Sequence, residues 1–399
     1  MKIPELLAPA GDMERLKIAL HYGADAVYVG GDLFSLRANA INFTIEELEE
    51  AVEYTHKFNK KIYVTVNIAL HNKESEKILD YLKDLDRIKV DAIIVSDPYI
   101  IEMANKYTNL EVHLSTQAST LNYEAIDYFK KQNVTRVVLA RESTLEDIKL
   151  IKEKCNIELE YFIHGAMCAS YSGRCVLSNF LTARDSNRGG CSQICRWDFK
   201  LLDEDKNPLQ GEKDFTFCTK DLSLLQYIPE LIEAGVDSFK IEGRMRSTYY
   251  IATIVNIYRK VIDEYLNDKD NYKYNKDYEK ILRNCANRDS VPQFINGNCG
   301  VDCQYYNGRV EISNQDFLGI VLDYDEDTKL ATIEQRNYFK KGDIIEIFGP
   351  EIDTFTYEIN EIIDEDNNII DIVRHPKQIV KLQIENKVYK DDMLRIKKD

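Results

Sequence analysis

ELLAPAGDMERLKIALHYGADAVYVGG (Glu5–Gly31) holds two short apolar runs, Glu5–Ala8 and Ala26–Gly30, around a stretch of mixed apolar and charged residues. Runs this apolar suit parallel strands covered on both faces. The alternation continues over the first 265 residues, with strands expected at Ile62–Asn67, Ala92–Ser96, Glu111–Ser115, Arg136–Ala140, Glu158–Ile163 and Ser238–Glu242. Amphipathic helices are expected between them, at Ile45–Phe58, Glu74–Leu85, Tyr123–Gln132, Leu145–Lys154 and Leu222–Ala234. Several close on a turn residue such as Gly235. Eight strands with helical crossovers predict an α/β fold of (β/α)8 TIM-barrel type, with a doubly wound sheet as the alternative.

The barrel domain is expected over 1–266, with a cysteine-rich insertion at 164–200. Ser247–Leu266 reads as a long helix and Asn267–Lys280 as a polar surface connection, within a connecting segment at 267–316. From Phe317 the pattern changes to short alternating strands, at Gly319–Asp323, Leu330–Gln335, Asp343–Phe348, Ile359–Ile363 and Lys381–Ile384. These predict a small all-β barrel over 317–399, with Asn337–Asp343 as a connection inside it.

The chain carries 52 Lys+Arg against 68 Asp+Glu, a net charge of −16. That balance argues against a generic nucleic-acid coat or a polybasic membrane binder. No apolar run is long enough to span a bilayer, and Ile3–Ala8 is too short for a signal peptide. The expectation is a soluble cytoplasmic protein whose nine cysteines are thiols or metal ligands rather than disulfides.

HGAMCASYSGRCVLSNFLTARDSNRGGCSQICRW (His164–Trp197) packs Cys168, Cys175, Cys191 and Cys195 into 28 positions without apolar periodicity. Such a segment suits convergence of thiolates on a metal. The irregular spacing favours an iron–sulfur cluster, with zinc, which prefers two close pairs, as the alternative. Cys218 competes with Cys195 as fourth ligand, Cys155 reads as a core thiol, and the Cys299/Cys303 pair lacks further ligands nearby. Between Cys168 and Lys200 five cations face two acids, a local charge of +3.

Barrel enzymes place their chemistry where strands finish. The residues expected there are Asn67, Asp97, Gln117, Arg141, Glu142, His164, Lys240, Glu242 and Arg244. The cations suit an anionic substrate, and internal pairing, for example Arg141 with Glu242, is the competing reading. Neither a G-x-S-x-G elbow nor an H-E-x-x-H zinc helix is present.

The opening stretch, STQAS (Ser115–Ser119), LARE (Leu139–Glu142), HGAMCASYSGRC (His164–Cys175), NRGGCSQICRW (Asn187–Trp197), KIEGRMRSTYY (Lys240–Tyr250) and NYFKKGDIIEIFGP (Asn337–Pro350) resemble the collagenase-like peptidase U32 family. Nearly the whole chain is covered, and the pattern is nearest to the family's tRNA uridine hydroxylation branch. The resemblance implies prephenate-dependent, oxygen-independent formation of 5-hydroxyuridine at the wobble position of tRNA. Related branches, serving ubiquinone or ribosomal RNA cytidine hydroxylation, imply a [4Fe-4S] cluster on Cys168, Cys175 and Cys191. The fourth ligand is Cys195 by the tRNA branch and Cys218 by the quinone branch. Partners implied are a tRNA anticodon loop, a small dicarboxylate and a redox partner. On this reading Arg141, Arg174 and Arg244 hold anions, with Asn67, Gln117 and Glu242 also binding substrate. His164, Glu142 and Lys240 handle protons. The rivals are a peptidase and a zinc-stapled RNA-binding or assembly factor without catalysis.

Overall fold

A computed structural model describes residues 3–36, 42–209, 214–286, 288–305 and 315–397. Seven parallel strands follow in order: β1 (Glu5–Pro9), β2 (Ala26–Gly30), β3 (Lys61–Val66), β4 (Ala92–Val95), β5 (Glu111–Leu114), β6 (Arg136–Val138) and β7 (Glu158–Gly165). The strand Ser238–Ile241 pairs with both β7 and β1, with Phe239 opposite Tyr161 and Leu6. That double pairing closes an eight-strand barrel and excludes the open doubly wound sheet.

Alternation along each strand sorts the side chains. Leu6, Ala8, Val27, Val29, Ile62 and Val64 join the large core shared with the helices. Leu7, Ala26, Tyr28, Tyr63, Ala92 and Ile94 form a separate cluster inside the barrel. The helices start on side-chain caps: Asp12 accepts from the Arg15 amide at 2.9 Å, and Thr44 and Thr144 form capping boxes with Glu47 and Asp147. The helix Thr248–Asn267 starts at Ser247 and runs down the outside of the barrel with fourteen buried residues.

Three expectations fail before the C-terminal sheet. The first residues of the predicted helix Leu222–Ala234 form the short strand Asp221–Ser223, antiparallel to β7, and helix appears only at Ile228–Glu233. Only the end of the expected surface connection is helical: Lys276–Ala286 begins inside it, with its Leu282 and Ala286 buried. Cys299 and Cys303 are joined in a disulfide, against the expectation of reduced thiols throughout. The intervening turn brings their Cα atoms to 5.9 Å, within bridging range.

An antiparallel sheet begins at Gln315 and curls into a half-barrel. Its order is Phe355–Glu358, Ile344–Phe348, Met393–Lys397, Gln315–Asp325, Leu330–Gln335, Ile379–Gln383, Ile362–Asp364 and Ile369–Ile370. The predicted strand Ile359–Ile363 is broken, because Ile359 turns inward between two strands, and Met393–Lys397 was not anticipated. This module lies beside the barrel: Phe317 stacks on Tyr249 with rings 5.2 Å apart, and the Tyr22 hydroxyl donates to the Asp391 carbonyl at 2.8 Å. No helix among the described residues is long and apolar enough to cross a membrane.

Candidate active site at the barrel mouth

A cavity of about 320 Å³ opens at the carboxyl ends of the strands. It is lined by six of the expected strand-end residues, Asn67, Gln117, Arg141, Lys240, Glu242 and Arg244, and by Cys168, Cys175 and Cys191. Tyr28, Ser115, Phe162, Asn187 and Gln193 also line it and were not singled out from the sequence. Period-2 alternation could have found Tyr28 and Phe162, which stand two positions from Ala26 and Glu160 on the inward face.

Three cations face this space, each already oriented. Lys240 donates to Glu160 at 2.6 Å and stands 4.4 Å from the centre of the Tyr28 ring. Burial lowers its pKa, against the pull of Glu160. Burial also opposes the charge of Glu160, yet Lys240 and Arg136 hold its carboxyl below the usual range. Arg141 stacks on Phe162 at 3.9 Å and lies 3.5 Å from Glu242, while its Nε is buried with no hydrogen-bond partner. Arg244 donates to Ser35 at 3.0 Å, to Thr65 at 3.2 Å and to the Leu36 carbonyl. Asn67 accepts from the Leu36 amide at 3.2 Å.

The cysteine segment folds back over this mouth. Gly173, at φ +75°, lets its backbone press on the Ser115–Ser119 loop, where a Cβ would stand 2.1 Å from the Gln117 carbonyl. Ser119 donates to the Ser172 carbonyl on the same contact. At the other side Arg188 pairs with Glu74 and donates to the Ala69 carbonyl at 2.6 Å. Glu74 is thereby held at a pKa of about 2, mainly by its hydrogen bond to Arg188. Thr219 donates to the Met167 carbonyl at 3.2 Å, tying the segment that carries Cys218 to the Cys168 loop.

Burial pushes the half-buried Cys195 thiol up to about 11; Cys168, Cys218 and Cys191 act in the same direction and Arg196 against it. Cys195 therefore sits among three other thiols, while Cys175 lines the cavity. Among the described residues no three His, Cys, Asp or Glu side chains converge in a metal-binding arrangement. The side chains at the mouth are soft thiols, the donor type an iron–sulfur group or zinc takes, though three of them are not brought to one ligating point among the described residues.

Five expected residues lie elsewhere. His164 is fully enclosed between β7 and the long helix, with its Nδ1 3.3 Å from the Tyr258 hydroxyl. Burial, with Arg246 nearby, lowers its pKa to about 3, so it stays neutral. Alternation from Glu160 and Phe162 would aim it inward, but a bulge between Phe162 and His164 turns it outward. Glu142 lies next to Tyr161, off the cavity, with its pKa raised by burial. Arg174 is exposed, and Asp97 caps the helix Pro98–Tyr107 by accepting from the Tyr99 amide. Cys218 is buried behind the mouth.

Sequence reasoning missed the charged floor of the barrel. Arg136 contacts Glu5 at 2.6 Å, Glu158 at 2.8 Å and Glu160 at 3.4 Å. Tyr63 and Ser238 both donate to Glu5, at 2.6 and 2.8 Å. The visible signal was Glu158 and Glu160 alternating within an otherwise apolar run.

The Peptidase family U32 profile matches residues 11–304, and that of its C-terminal domain matches residues 313–395. The chain is 53% identical to tRNA hydroxylation protein P1 of Bacillus subtilis, over 99% of this chain and 95% of that protein. It is 32% identical to tRNA hydroxylation protein P of Haemophilus influenzae, covering 92% and 90% of the two chains. An uncharacterized protease of Methanocaldococcus jannaschii is 39% identical, over 88% of each chain. With two profiles matched in sequence along a barrel and its half-barrel module, the chain belongs to Peptidase family U32.

Proposed function

We propose that this protein hydroxylates the wobble uridine of tRNA, using a [4Fe-4S] cluster on Cys168, Cys175, Cys191 and either Cys195 or Cys218. The observation that carries the reading is one cavity lined by three thiols and three oriented cations. The names of the Bacillus and Haemophilus relatives support tRNA as substrate.

An iron–sulfur group supplies electron-transfer chemistry that side chains lack. The chain's own residues bind and orient. Arg141, with its free Nε, and Lys240 and Arg244 receive the carboxylates of a dicarboxylate co-substrate such as prephenate. A base extruded from an RNA loop enters the same mouth, where Asn67, Ser115 and Gln117 offer hydrogen bonds. Since His164 and Glu142 lie off the cavity, proton handling falls to Lys240 and Glu242, which line it. A redox partner and a cytoplasmic setting follow from this reading.

The peptidase reading, which the name of the Methanocaldococcus relative would favour, lacks its nucleophile–base pair. Among the described residues no histidine lines the cavity with the thiols.

Nucleoside mass spectrometry of a deletion strain tests the proposal. The expected result is loss of 5-hydroxyuridine derivatives, restored by the wild-type chain and not by Cys168→Ser or Arg141→Ala. An unchanged tRNA profile sinks it. Protein purified without oxygen should be brown and contain iron; colourless protein with one zinc overturns the cluster.

A further inference from the structure

We propose that the outer face of the cysteine segment is a stacking platform for unpaired RNA bases flanking the one that enters the cavity. This rests on the tRNA reading above, and names the surface that holds the loop.

Phe180 is 84% exposed on the short helix Leu177–Thr182, Trp197 is 50% exposed, and Tyr171, at the cavity rim, is 48% exposed. The helix packs on the turn Ile194–Arg196 just before Trp197. Two links fix that contact: the Ser192 amide donates to Ser178 at 3.1 Å, and the Thr182 and Ser192 hydroxyls meet at 2.9 Å. The aromatics therefore stand on one braced unit that starts at the mouth and leads outward.

Three large rings left in water forgo the gain of burial and so mark a surface made to be covered. The interleaved charges say by what. Arg174 and Arg184 are exposed and make no ion pair among the described residues, and Arg196 adjoins Trp197. The segment is +3 within a chain of −16. Aromatic faces alternating with cations are what a single strand needs, with bases on the rings and phosphates on the guanidiniums. The thiol-lined cavity takes one base, and the platform holds its unstacked neighbours.

The test uses the purified full chain and a fluorescent oligouridine, with a fully paired duplex of equal length as control. Wild type should prefer the single strand. Phe180→Ala and Trp197→Ala should each weaken oligouridine binding about tenfold, leaving duplex binding, thermal midpoint and metal content unchanged. Phe180→Tyr should restore binding. Arg184→Ala should reduce the slope of log affinity against log salt by about 0.7, the loss of one phosphate contact. Wild-type-like binding by both aromatic variants overturns the proposal, as does equal affinity for the duplex. A dimer that Phe180→Asp dissolves, with RNA binding untouched, assigns the face to a second copy instead. Binding needs no hydroxylation, so the two readings separate. Weakened variants beside an unchanged tRNA profile in the deletion strain keep the platform and remove the hydroxylase. A lost modification that both aromatic variants restore in full does the reverse.

Discussion

Lys240 Nζ lies 2.6 Å from Glu160 Oε1 at the boundary between the cavity and the barrel floor, and both side chains are buried. Glu160 also meets Arg136, which reaches Glu5 and Glu158, so the cavity lysine ends a chain of charges crossing the barrel interior. Removing one partner leaves an uncompensated buried charge. Glu160→Ala should destabilise the fold by about 3–5 kcal/mol in urea unfolding. The double variant Glu160→Leu/Lys240→Met should recover much of that loss while abolishing modification. Equal stability of the single variant and wild type would count against the network.

The half-barrel module carries a titrating group at its contact with the barrel. Asp392 is fully enclosed, with Oδ1 unpartnered and Oδ2 accepting from the Tyr389 amide at 2.8 Å. Burial raises its pKa to about 7; Glu351 and Asp391 add to the rise, and the Tyr389 amide opposes it. A carboxyl raised on folding destabilises increasingly as pH climbs from its unfolded value of about 4 towards about 7, and stays unfavourable above. Asp392→Asn should therefore raise the thermal midpoint at pH 8, through a stabilisation on the order of 2 kcal/mol after allowing for solvent screening. The difference should vanish near pH 4 in melts followed by circular dichroism.

Gly30 sits at the end of β2 beneath the Arg244 guanidinium, where a Cβ would stand 1.9 Å from Nη1. Gly30→Ala should displace Arg244 from Ser35 and Thr65. The expected result is loss of modification in the complementation assay together with a lower melting temperature. Full activity would show that Arg244 need not hold that position.

Arg188 fastens the cysteine segment to the loop after β3 through Glu74 and the Ala69 carbonyl. Both ends are partly exposed, so Arg188→Ala should cost only about 1 kcal/mol globally. Locally it should be plainer: limited proteolysis should cut within 184–198 several times faster than in wild type.

The barrel was readable because most positions of each parallel strand are buried and the strands appear as mostly apolar runs, from Leu6 to Val138. The cavity was partly readable, since strand ends announce themselves: Asn67, Gln117, Arg141, Lys240, Glu242 and Arg244 all face it. What stayed hidden depends on partners far away in the chain. Arg136 reads as an ordinary strand residue until Glu5, 131 positions away, arrives beside it. The half-barrel's last strand, Met393–Lys397, was missed, and its pairing with Gln315–Asp325 spans the whole module. The Cys299–Cys303 link depends on a tight turn, which cysteine usage by compartment cannot reveal.

The bulge in β7 is a counting device. Phe162 faces Lys240 across the strand pair, and the next paired position, opposite Ile241, is already His164. Removing Ile163 would straighten the strand yet leave the ring opposite Ile241 and facing outward, because it would then follow the inward Phe162 directly. The imidazole belongs to the wall on either count, so swapping the histidine itself should change stability before it changes reactivity.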